Sequence, residues 1–516
     1  MPYSKTFLKH KYEQMPKVIE TVDGYIQRLS ASAYRNVRLV ANEVLSRNPH
    51  TQNFFHSLLF EETAIIPPLP QTVFRLIKYY VKILLFLGTY LVSHFVYHFR
   101  NVGKKRKNFV LEEPLYVVDT FVYLNLLQQE QQYTDRFFNG IYDVLEKRHR
   151  QFVVLPRFLG RLTPANVISA TTLLDHSLYD FLTEFDLLDI SDLLQLTWFL
   201  LRYPFDVLLW VGRLSRENQM DTQLIAEIIR TLDYNPSYSL IRYFVGRRLG
   251  ELSSRLYLIS WCENQIVDKS MFRGVRETSP SVFIFGCQSL IAYPPYLCMR
   301  IAETDKIFGM VPDVILVNGK AFFDSRSSVP QQLGVSFRNK ELFVEIIDWE
   351  TKTQTVIFFS YFLYLDREMV TIASQSIILR EQSIVITLHP HLVNTKLALP
   401  KLPSQWTYTQ QNRFELLHTA KILITSESST AVEAAALGTS VIIVASQSTF
   451  TCNPMLEGRG EIWELVFDSQ ELDLALSKLQ EYRHAHLERI QQLADFYKTN
   501  CFVEPTEENI VKAFNL

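Results

Sequence analysis

The feature that most constrains this fold is an alternation of short apolar runs with longer helix-like stretches in the last third of the chain. Each run is almost continuously apolar, which is typical of strands that are covered on both faces. Strands that alternate with helices predict a parallel α/β sheet. The candidate strands are Val356–Ser360, Ile384–Leu388, Ile422–Thr425 and Val441–Ala445, with Trp463–Phe467 as a possible fifth.

The same alternation occurs earlier and predicts a second α/β domain. Its strands are Leu115–Phe121, Phe152–Leu155, Leu256–Trp261, Val282–Gly286 and Val314–Val317. A Leu-rich stretch with helical periodicity, 163–250, is expected to be a helical insertion or a set of packing helices, and 334–348 is expected to be the crossing between domains. We therefore predict a helical region over 1–112 and α/β domains over 113–340 and 341–516. Ligands of such sheets bind at the carboxyl ends of the strands, which predicts a cleft between the domains.

Composition narrows the class and the compartment. The chain has 516 residues, of which 47% are hydrophobic and 21% charged, as in ordinary globular proteins. A net charge of −2 gives no reason to expect nucleic-acid binding. The five cysteines are scattered and form no CxxC pair, which favours a reducing compartment. The first residues lack the apolar core of a signal peptide, so a cytoplasmic location is expected.

The strongest local feature is the segment 422–446, ILITSESSTAVEAAALGTSVIIVAS. It reads as a strand, a hydroxyl-rich turn, and a helix that contains Glu433 and ends at Gly438. The free N–H groups at such a helix start, together with the hydroxyls, can hold a phosphate. The alternative is ordinary helix capping by serine and glycine. The turn residues that would contact the phosphate are Ser426, Ser428, Ser429 and Thr430.

A second polar group follows the strand in the segment 384–392, IVITLHPHL. The strand delivers His389 at its carboxyl end, and Pro390 turns the chain at once. An imidazole there can donate to a diphosphate or to the departing phosphate oxygen. A purely structural histidine is the alternative. Because both segments end strands of the same predicted sheet, we expect them to form one site.

These two motifs resemble the nucleotide-sugar half of the GT-B glycosyltransferases, which consist of two Rossmann-like domains. The closest likeness is to bacterial transferases that build capsules and other surface carbohydrates: polysialyltransferases, Kdo transferases and CDP-glycerol polymerases. The resemblance covers the last 130 residues or so. It implies that His389 and either Ser428 or Ser429 contact the donor phosphate, and that Glu433 holds the nucleotide's ribose. It implies no cofactor.

The middle of the chain extends the resemblance. Residues 261–277, WCENQIVDKSMFRGVRE, and 312–320, PDVILVNGK, are similar to elements of surface-carbohydrate biosynthesis proteins. Between them those proteins carry a turn that ends in Gln-His. Here the turn holds Gln288, which becomes a candidate substrate contact, and Ser289 replaces the histidine. That replacement weakens the expectation of a role for the turn.

The catalytic base is expected in the first α/β domain. An inverting transferase needs a group that takes the proton from the acceptor hydroxyl. Glu263 follows a predicted strand and is the first candidate, Asp268 is the second and Asp119 the third. The acids at 263 and 268 could instead cap the next helix or pair with Arg273 or Arg276. With no Asp-x-Asp at a strand end, the reaction is expected to need no metal.

One apolar segment suggests contact with a membrane. Residues 83–99, ILLFLGTYLVSHFVYHF, carry no Asp, Glu, Lys or Arg, and basic residues flank them on both sides. Spanning a bilayer takes roughly 20 apolar residues, so a helix lying in the interface over 73–107 fits better. A buried core helix and a spanning helix are the alternatives. The basic neighbours are Arg75, Lys78, Lys82, Arg100, Lys104, Lys105, Arg106 and Lys107.

Together these features predict an inverting, metal-independent glycosyltransferase, peripheral on the inner face of the cell membrane. Its donor is expected to be a nucleotide-activated sugar, with a CMP-activated nonulosonate or a Kdo-like sugar favoured over CDP-glycerol and UDP-sugars. Its acceptor is expected to be a surface glycan or a lipid-linked glycan. The alternatives are a UDP-sugar 2-epimerase of the same fold and a non-catalytic membrane-bound scaffold.

Overall fold

The computed structural model describes residues 3–48, 52–63, 65–102, 114–252, 255–291, 293, 295–344, 352–389, 392 and 399–516. Its strands form two six-stranded sheets in which every neighbouring pair is parallel. Each of the apolar runs named above forms a strand. The predicted architecture of two α/β domains preceded by an apolar helix is confirmed.

The first sheet has the strand order β2-β1-β3-β4-β5-β6. Its interior strands are apolar and almost completely buried, because helices cover both faces. The sixth strand is a short, polar edge strand that no apolar run announces. The bounds are β1 Leu115–Tyr123, β2 Phe152–Leu159, β3 Leu256–Trp261, β4 Phe283–Gln288, β5 Val314–Val317 and β6 Gln331–Leu333.

The second sheet has the order β12-β11-β10-β7-β8-β9. β10 and β11 lie near its centre and are the most deeply buried of its strands. Separate apolar clusters pack on its two faces. The bounds are β7 Gln354–Phe358, β8 Ile384–Thr387, β9 Trp406–Thr409, β10 Ala420–Thr425, β11 Ser440–Val444 and β12 Trp463–Val466.

Eleven helices precede β3 in the described part of the chain, and the last five of them lie between β2 and β3. The longest, α4, carries the predicted membrane-associating segment as far as Arg100. Residues 103–107, with their cluster of basic side chains, lie outside the described residues. The helices are α1 Lys5–Ala33, α2 Val37–Val40, α3 Gln52–Leu59, α4 Leu69–Arg100, α5 Leu124–Glu130, α6 Ile141–Lys147, α7 Pro164–Asp175, α8 Glu184–Leu187, α9 Ile190–Val211, α10 Gln219–Arg230 and α11 Ser237–Leu252.

The remaining helices connect the strands of both sheets and close the chain. They are α12 Ile266–Thr278, α13 Glu303–Ile307, α14 Glu341–Val344, α15 Leu363–Gln375, α16 Ile377–Arg380, α17 Arg413–Thr419, α18 Thr430–Ala436, α19 Ser469–Ala485, α20 Leu487–Cys501 and α21 Glu507–Phe514. Short 3₁₀ turns occur at Leu297–Met299, Lys320–Phe322 and Phe337–Asn339.

Both ends of the chain join the two halves of the molecule. The α1 residue Lys5 donates to Asp468 of the second domain over 2.9 Å, while Glu20 in the same helix pairs with Arg300 of the first over 2.8 Å. At the other end α21 returns to the first sheet, where Phe514 packs against Phe285. These contacts fix the two sheets against each other around the cleft.

Candidate active site

The carboxyl ends of the two sheets meet at a cleft. The loop after β4 contacts the loop after β10, where the Tyr296 hydroxyl donates to the Glu427 carboxylate over 3.5 Å. The connecting segment contributes as well, because the Asn339 amide donates to Glu433 over 2.8 Å. Polar side chains from both domains therefore surround one space, as expected for two parallel sheets that face each other.

Glu263 enters the cleft just beyond the end of β3. Its carboxylate accepts hydrogen bonds from Trp261 Nε1 at 3.0 Å and from Gln265 Nε2 at 2.7 Å. Burial raises the pKa of Glu263 above its ordinary value, and the hydrogen bond from Trp261 only partly opposes this effect. A carboxyl group with a raised pKa is a stronger proton acceptor than an ordinary glutamate, and two donors hold this one in place.

Asp268 lies deeper, at the start of α12. One of its oxygens accepts from the backbone N–H of Glu263 and of Gln265, at 3.0 and 3.1 Å, and so caps the helix. The other oxygen accepts from Arg157 Nη1 at 2.6 Å. The residue is 1% exposed. Its visible role is to hold the backbone that carries Glu263.

Asp119 belongs to the same buried ion network. It accepts from Arg157 and Ser260, and from Arg242 Nη2 at 2.7 Å. Burial alone would raise the pKa of Asp119, but the two arginines bring it below its ordinary value. The two guanidinium groups stabilise the charged form of this fully buried carboxylate, so Asp119 is a poor proton acceptor.

Arg338, in the segment between the domains, is the cation of the cleft. Its guanidinium lies 5.2 Å from the ring centre of Phe137 and 5.6 Å from that of Trp261. Burial, and next the charge of Arg413, lower the pKa of Arg338, whereas Glu433 and the other acids of the cleft act in the opposite direction. Among the described residues, no side chain forms a hydrogen bond or ion pair with this guanidinium. The Arg338 guanidinium is thus a partly buried group whose N–H donors can bind a ligand.

On the second domain, Glu433 is almost completely buried in α18. It accepts from Asn339, and its other carboxylate oxygen lies 3.3 Å from Arg413 Nε. Arg413 also donates to the backbone carbonyl of Arg338 over 3.2 Å. A ribose bound by Glu433, as the resemblance implies, would share this carboxylate with both partners.

The hydroxyl-rich turn after β10 is largely buried, and Ser429 is its most accessible hydroxyl. Ser426 is buried and donates to Asp366 at 2.7 Å, so its hydroxyl faces the protein interior. Burial raises the pKa of Asp366 to about 6. Ser428 accepts from the N–H of Thr430 at 3.2 Å, and Ser429 directly precedes α18. Ser428, Ser429 and Thr430 stay candidates for contact with a phosphate because they lie at the start of α18.

His389 follows β8 at the same edge of the second sheet. Its ring meets that of Tyr361 edge-on, with 5.8 Å between the ring centres. Burial is the main cause that raises the pKa of Tyr123 in the first domain, and Tyr361, which follows β7, is close enough to contribute to the increase. His389 is thus on the cleft side of the sheet. Pro390 lies outside the described residues.

Gln288 ends β4 and is 6% exposed. Its amide nitrogen is 4.0 Å from the sulfur of Met299, and the next residue, Ser289, donates to the Val335 carbonyl at 3.0 Å. The serine that replaces the expected histidine therefore fastens the β4 loop to the segment between the domains. Gln288 lies beneath that loop.

Sequence reasoning missed three charged residues of the cleft: Arg338, Arg413 and Glu427. Burial raises the pKa of Glu427 to about 7. Besides the Tyr296 hydroxyl, its carboxylate accepts the N–H of Cys452 at 2.9 Å. The position of Glu427 within Ser-Glu-Ser-Ser was an available signal, since it lies between two predicted site residues. The two arginines lie in segments without a recognisable motif.

No cluster of three or more His, Cys, Asp or Glu side chains that could hold a metal ion occurs within the described ranges. The expectation of a metal-independent reaction stays a prediction.

No protein-family model and no curated protein sequence matches the chain. Among solved structures it is similar to the Staphylococcus aureus MnaA–UDP complex, with 10% identity, 77% of this chain and 95% of that chain covered, and a TM-score of 0.41. It is also similar to Neisseria meningitidis UDP-GlcNAc 2-epimerase bound to UDP-GlcNAc, with 10% identity, 77% of this chain and 98% of that chain covered, and a TM-score of 0.40. A third similar structure is Acinetobacter baumannii MurG, with 9% identity, 78% of this chain and 99% of that chain covered, and a TM-score of 0.37. Likenesses of this size add nothing to what the two sheets themselves establish.

Proposed function

We propose that this chain is an inverting glycosyltransferase that transfers a sugar from a nucleotide donor in the cleft between its two sheets. The observation that carries the proposal is Arg338, a cation without an ionic partner among the described residues, placed between Glu263 of one domain and Glu433 of the other. Guanidinium groups in such positions bind phosphate through paired hydrogen bonds. A nucleotide diphosphate or monophosphate would satisfy this group.

In the proposed reaction an acceptor hydroxyl attacks the anomeric carbon of the donor sugar. Glu263 takes the hydroxyl proton as the new C–O bond forms. The bond from the anomeric carbon to the phosphate oxygen breaks, and the nucleotide leaves with the electron pair. Arg338 and His389 stabilise the negative charge on the departing phosphate, and Ser428, Ser429 and Thr430 bind its other oxygens.

The donor we favour is a CMP-activated acidic sugar of the nonulosonate or Kdo type, from the resemblance of the His-Pro and Ser-Ser motifs. CDP-glycerol and UDP-sugars are the other candidates. We propose a surface glycan or lipid-linked glycan as acceptor, and a place on the cytoplasmic face of the cell membrane. The reaction would use no metal and no cofactor.

A second candidate function is 2-epimerisation of a UDP-sugar, and Glu427 is the observation that favours it. With a pKa of about 7, this residue is a second acid–base group beside Tyr296. Epimerisation requires proton transfer at the sugar ring without any acceptor. Product analysis with the donor alone separates the candidates, since only an epimerase forms an isomeric nucleotide sugar.

The first experiment measures thermal stabilisation of the protein by CMP, CDP, UDP and GDP. A nucleotide at about a hundred times its Kd adds about 2.7 kcal/mol to the free energy of unfolding. We expect one nucleotide to stabilise the wild type and to lose this effect in Arg338→Gln and in His389→Ala. Arg326→Gln, at an exposed arginine, is the matched control. Stabilisation that is absent in the wild type, or unchanged in Arg338→Gln, would falsify the proposal, and its absence would favour a non-catalytic scaffold.

The second experiment tests the base. Glu263→Gln keeps the size of the side chain and an oxygen that can accept from Trp261, but it removes the proton acceptor. We expect the transfer rate to fall about 10²- to 10⁴-fold while nucleotide stabilisation is retained. An unchanged rate would exclude Glu263 as the base. Loss of nucleotide stabilisation would instead place the residue in donor binding.

A further inference from the structure

The helix α4 exposes a long apolar stripe. Its exposed side chains recur at spacings of three, four and seven residues, so they lie on one face of the helix. At 1.5 Å per residue this face is about 48 Å long. The helix is also apolar and long enough to qualify as a membrane span by composition. The largest exposed residues are Phe74, Ile77, Leu84, Leu85, Phe95 and Phe99, each more than half exposed.

The opposite face of α4 is attached to the protein along its whole length. Tyr79 donates to the Leu200 carbonyl at 2.7 Å, Ser93 to the Leu162 carbonyl at 2.8 Å, and Arg100 to the Ile168 carbonyl at 2.9 Å. A helix held in this way cannot pass through a bilayer without losing these contacts. Its exposed stripe can only meet a surface laid against it.

A second helix, α9, enlarges that surface, and its contribution was not expected from the sequence. The Tyr80 hydroxyl of α4 donates to the Leu201 carbonyl at 3.0 Å, and the rings of Tyr80 and Phe205 lie 6.5 Å apart. The exposed stripes of the two helices therefore adjoin. The exposed residues of α9 are Ile190, Leu194, Trp198, Phe205 and Leu209.

The charges around this α4–α9 face select the partner. No Asp or Glu occurs in α4, and both acids of α9 beyond its first cap, Asp192 and Asp206, are buried. Lys78 and Lys82 line one border of the α4 stripe with about half of each side chain exposed, and together with Arg75 they outnumber their one acidic partner, the buried Asp233. Arg202 lies over Trp198, is about half exposed and pairs with the buried Asp206. The exposed carboxylates nearest this face, Asp175 and Asp189, are each paired with an arginine. An apolar face bordered by cations complements the anionic headgroups and acyl chains of a bilayer surface.

We infer that α4 and α9 together form a platform that docks the protein on an anionic bilayer, with both helices lying in the interface. The inference does not depend on the reaction proposed for the cleft. Trp198 and Phe205 lie at the headgroup level, and Lys78, Lys82 and Arg202 contact lipid phosphates. The exposed stripe of α4 replaces water with acyl chains.

The test is flotation of the full chain with vesicles of phosphatidylcholine that contain phosphatidylglycerol, and with vesicles of phosphatidylcholine alone. We expect binding to the anionic vesicles, and a loss of about tenfold or more in Leu85→Glu and in Leu194→Glu, one variant per helix. Leu474→Glu, at a leucine of α19 that is 71% exposed, is the control and should bind like the wild type. Because the three sites are exposed, the variants should keep the wild-type melting temperature.

Lipid contact of α9 is checked by fluorescence. Brominated lipids should quench tryptophan emission in the wild type and much less in Trp198→Phe. Equal quenching in both proteins, or equal flotation of Leu194→Glu and the wild type, would remove α9 from the platform and overturn the inference. A wild type that ignores vesicles but forms dimers that Leu85→Glu dissociates would overturn it too, in favour of a second copy of this chain.

Discussion

Asp119 and Glu427 are both buried acids, but their pKa values are shifted in opposite directions because their partners differ. Asp119 is paired with two arginines, which lower its pKa despite complete burial. Glu427 is almost as deeply buried, but the partners described for it are neutral: the Tyr296 hydroxyl and the backbone N–H and thiol of Cys452. Burial therefore prevails and raises its pKa to about 7. Depth within the protein alone therefore does not determine protonation. The number of cationic partners does.

The raised pKa of Glu427 makes a prediction about stability. Between about pH 4.5 and pH 7 the native protein holds a proton that the unfolded chain has lost, so this residue destabilises the fold increasingly as the pH rises through that window. Glu427→Gln removes the effect. We expect the unfolding free energy of the variant, relative to wild type, to increase by up to about 3 kcal/mol from about pH 4 to about pH 8.

Chemical denaturation at both pH values measures this difference. Glu415→Gln, at an exposed glutamate on α17, is the matched control. A difference between Glu427→Gln and the wild type that is the same at both pH values would contradict the prediction.

Glu263, His389 and the serine turn were predictable because each follows an apolar run that the sequence identifies as a strand. The sequence could not indicate Arg338 or Arg413. These arginines come from a connecting segment and from the first turn of α17, and only the packing of both domains brings them together. Residues contributed by one sheet edge are predictable from local pattern, whereas residues that meet across a cleft are not.

At the scale of elements, ten strands were predictable from their apolar runs, including the edge strands β2 and β12, whereas the edge strands β6 and β9 were not. β3 and β5 have the bounds that their apolar runs predicted. β6 and β9 are short and largely polar, since an edge strand has one free side and less apolar surface to bury. Their pairing with β5 and β8 is set by backbone geometry, which leaves no pattern in the sequence.

The helix pair α11 and α12 shows how glycine positions the candidate base. The two helices approach so closely at Gly246 that an added Cβ would lie 2.1 Å from the carbonyl oxygen of Met271. Gly274 on α12 has the same relation to the carbonyl of Tyr243. Since α12 begins shortly after Glu263 and carries Asp268, this packing holds the backbone of the candidate site.

Gly246→Ala should therefore destabilise the protein by about 1–3 kcal/mol or more, because the helices must separate to admit the methyl group. Gly88→Ala, in a helix position with no atom near the added Cβ, is the matched control and should stabilise by about 0.5–1 kcal/mol. Denaturant unfolding of the two variants gives both values. Equal stability of the two would mean that the helix contact is not tight in solution.

At the scale of the whole molecule, the chain crosses between the sheets more than once. The 334–344 segment leads from the first sheet to the second, and α20 and α21 lead back. Close contact accompanies the return, since a Cβ on Gly319 would lie 2.3 Å from the carbonyl oxygen of Asn500. The two domains are thus not independent units, because elements at the end of the chain pack on the first domain. The sequence pattern divides them at residue 340.

Phe514→Ala tests this return. The ring is buried against Phe285 and Phe337 of the first domain, so its removal should cost about 3–5 kcal/mol. Hydrogen exchange should then accelerate in β4 more than in β11, although residue 514 is distant from β4 in sequence. Leu474→Ala, an exposed site on α19, should change stability by less than about 0.5 kcal/mol. Faster exchange confined to the second sheet would contradict the assignment.

The position of α21 has a consequence for biosynthesis. Residues 115–333 emerge from the ribosome long before residues 507–514. The nascent first domain therefore has part of its apolar surface uncovered until α21 is made. During that interval the second domain can complete its sheet, since its strands follow one another without a long gap. The earlier half of the polypeptide would then be sealed only as the last helix emerges, directly after α20 has completed the core of the later half.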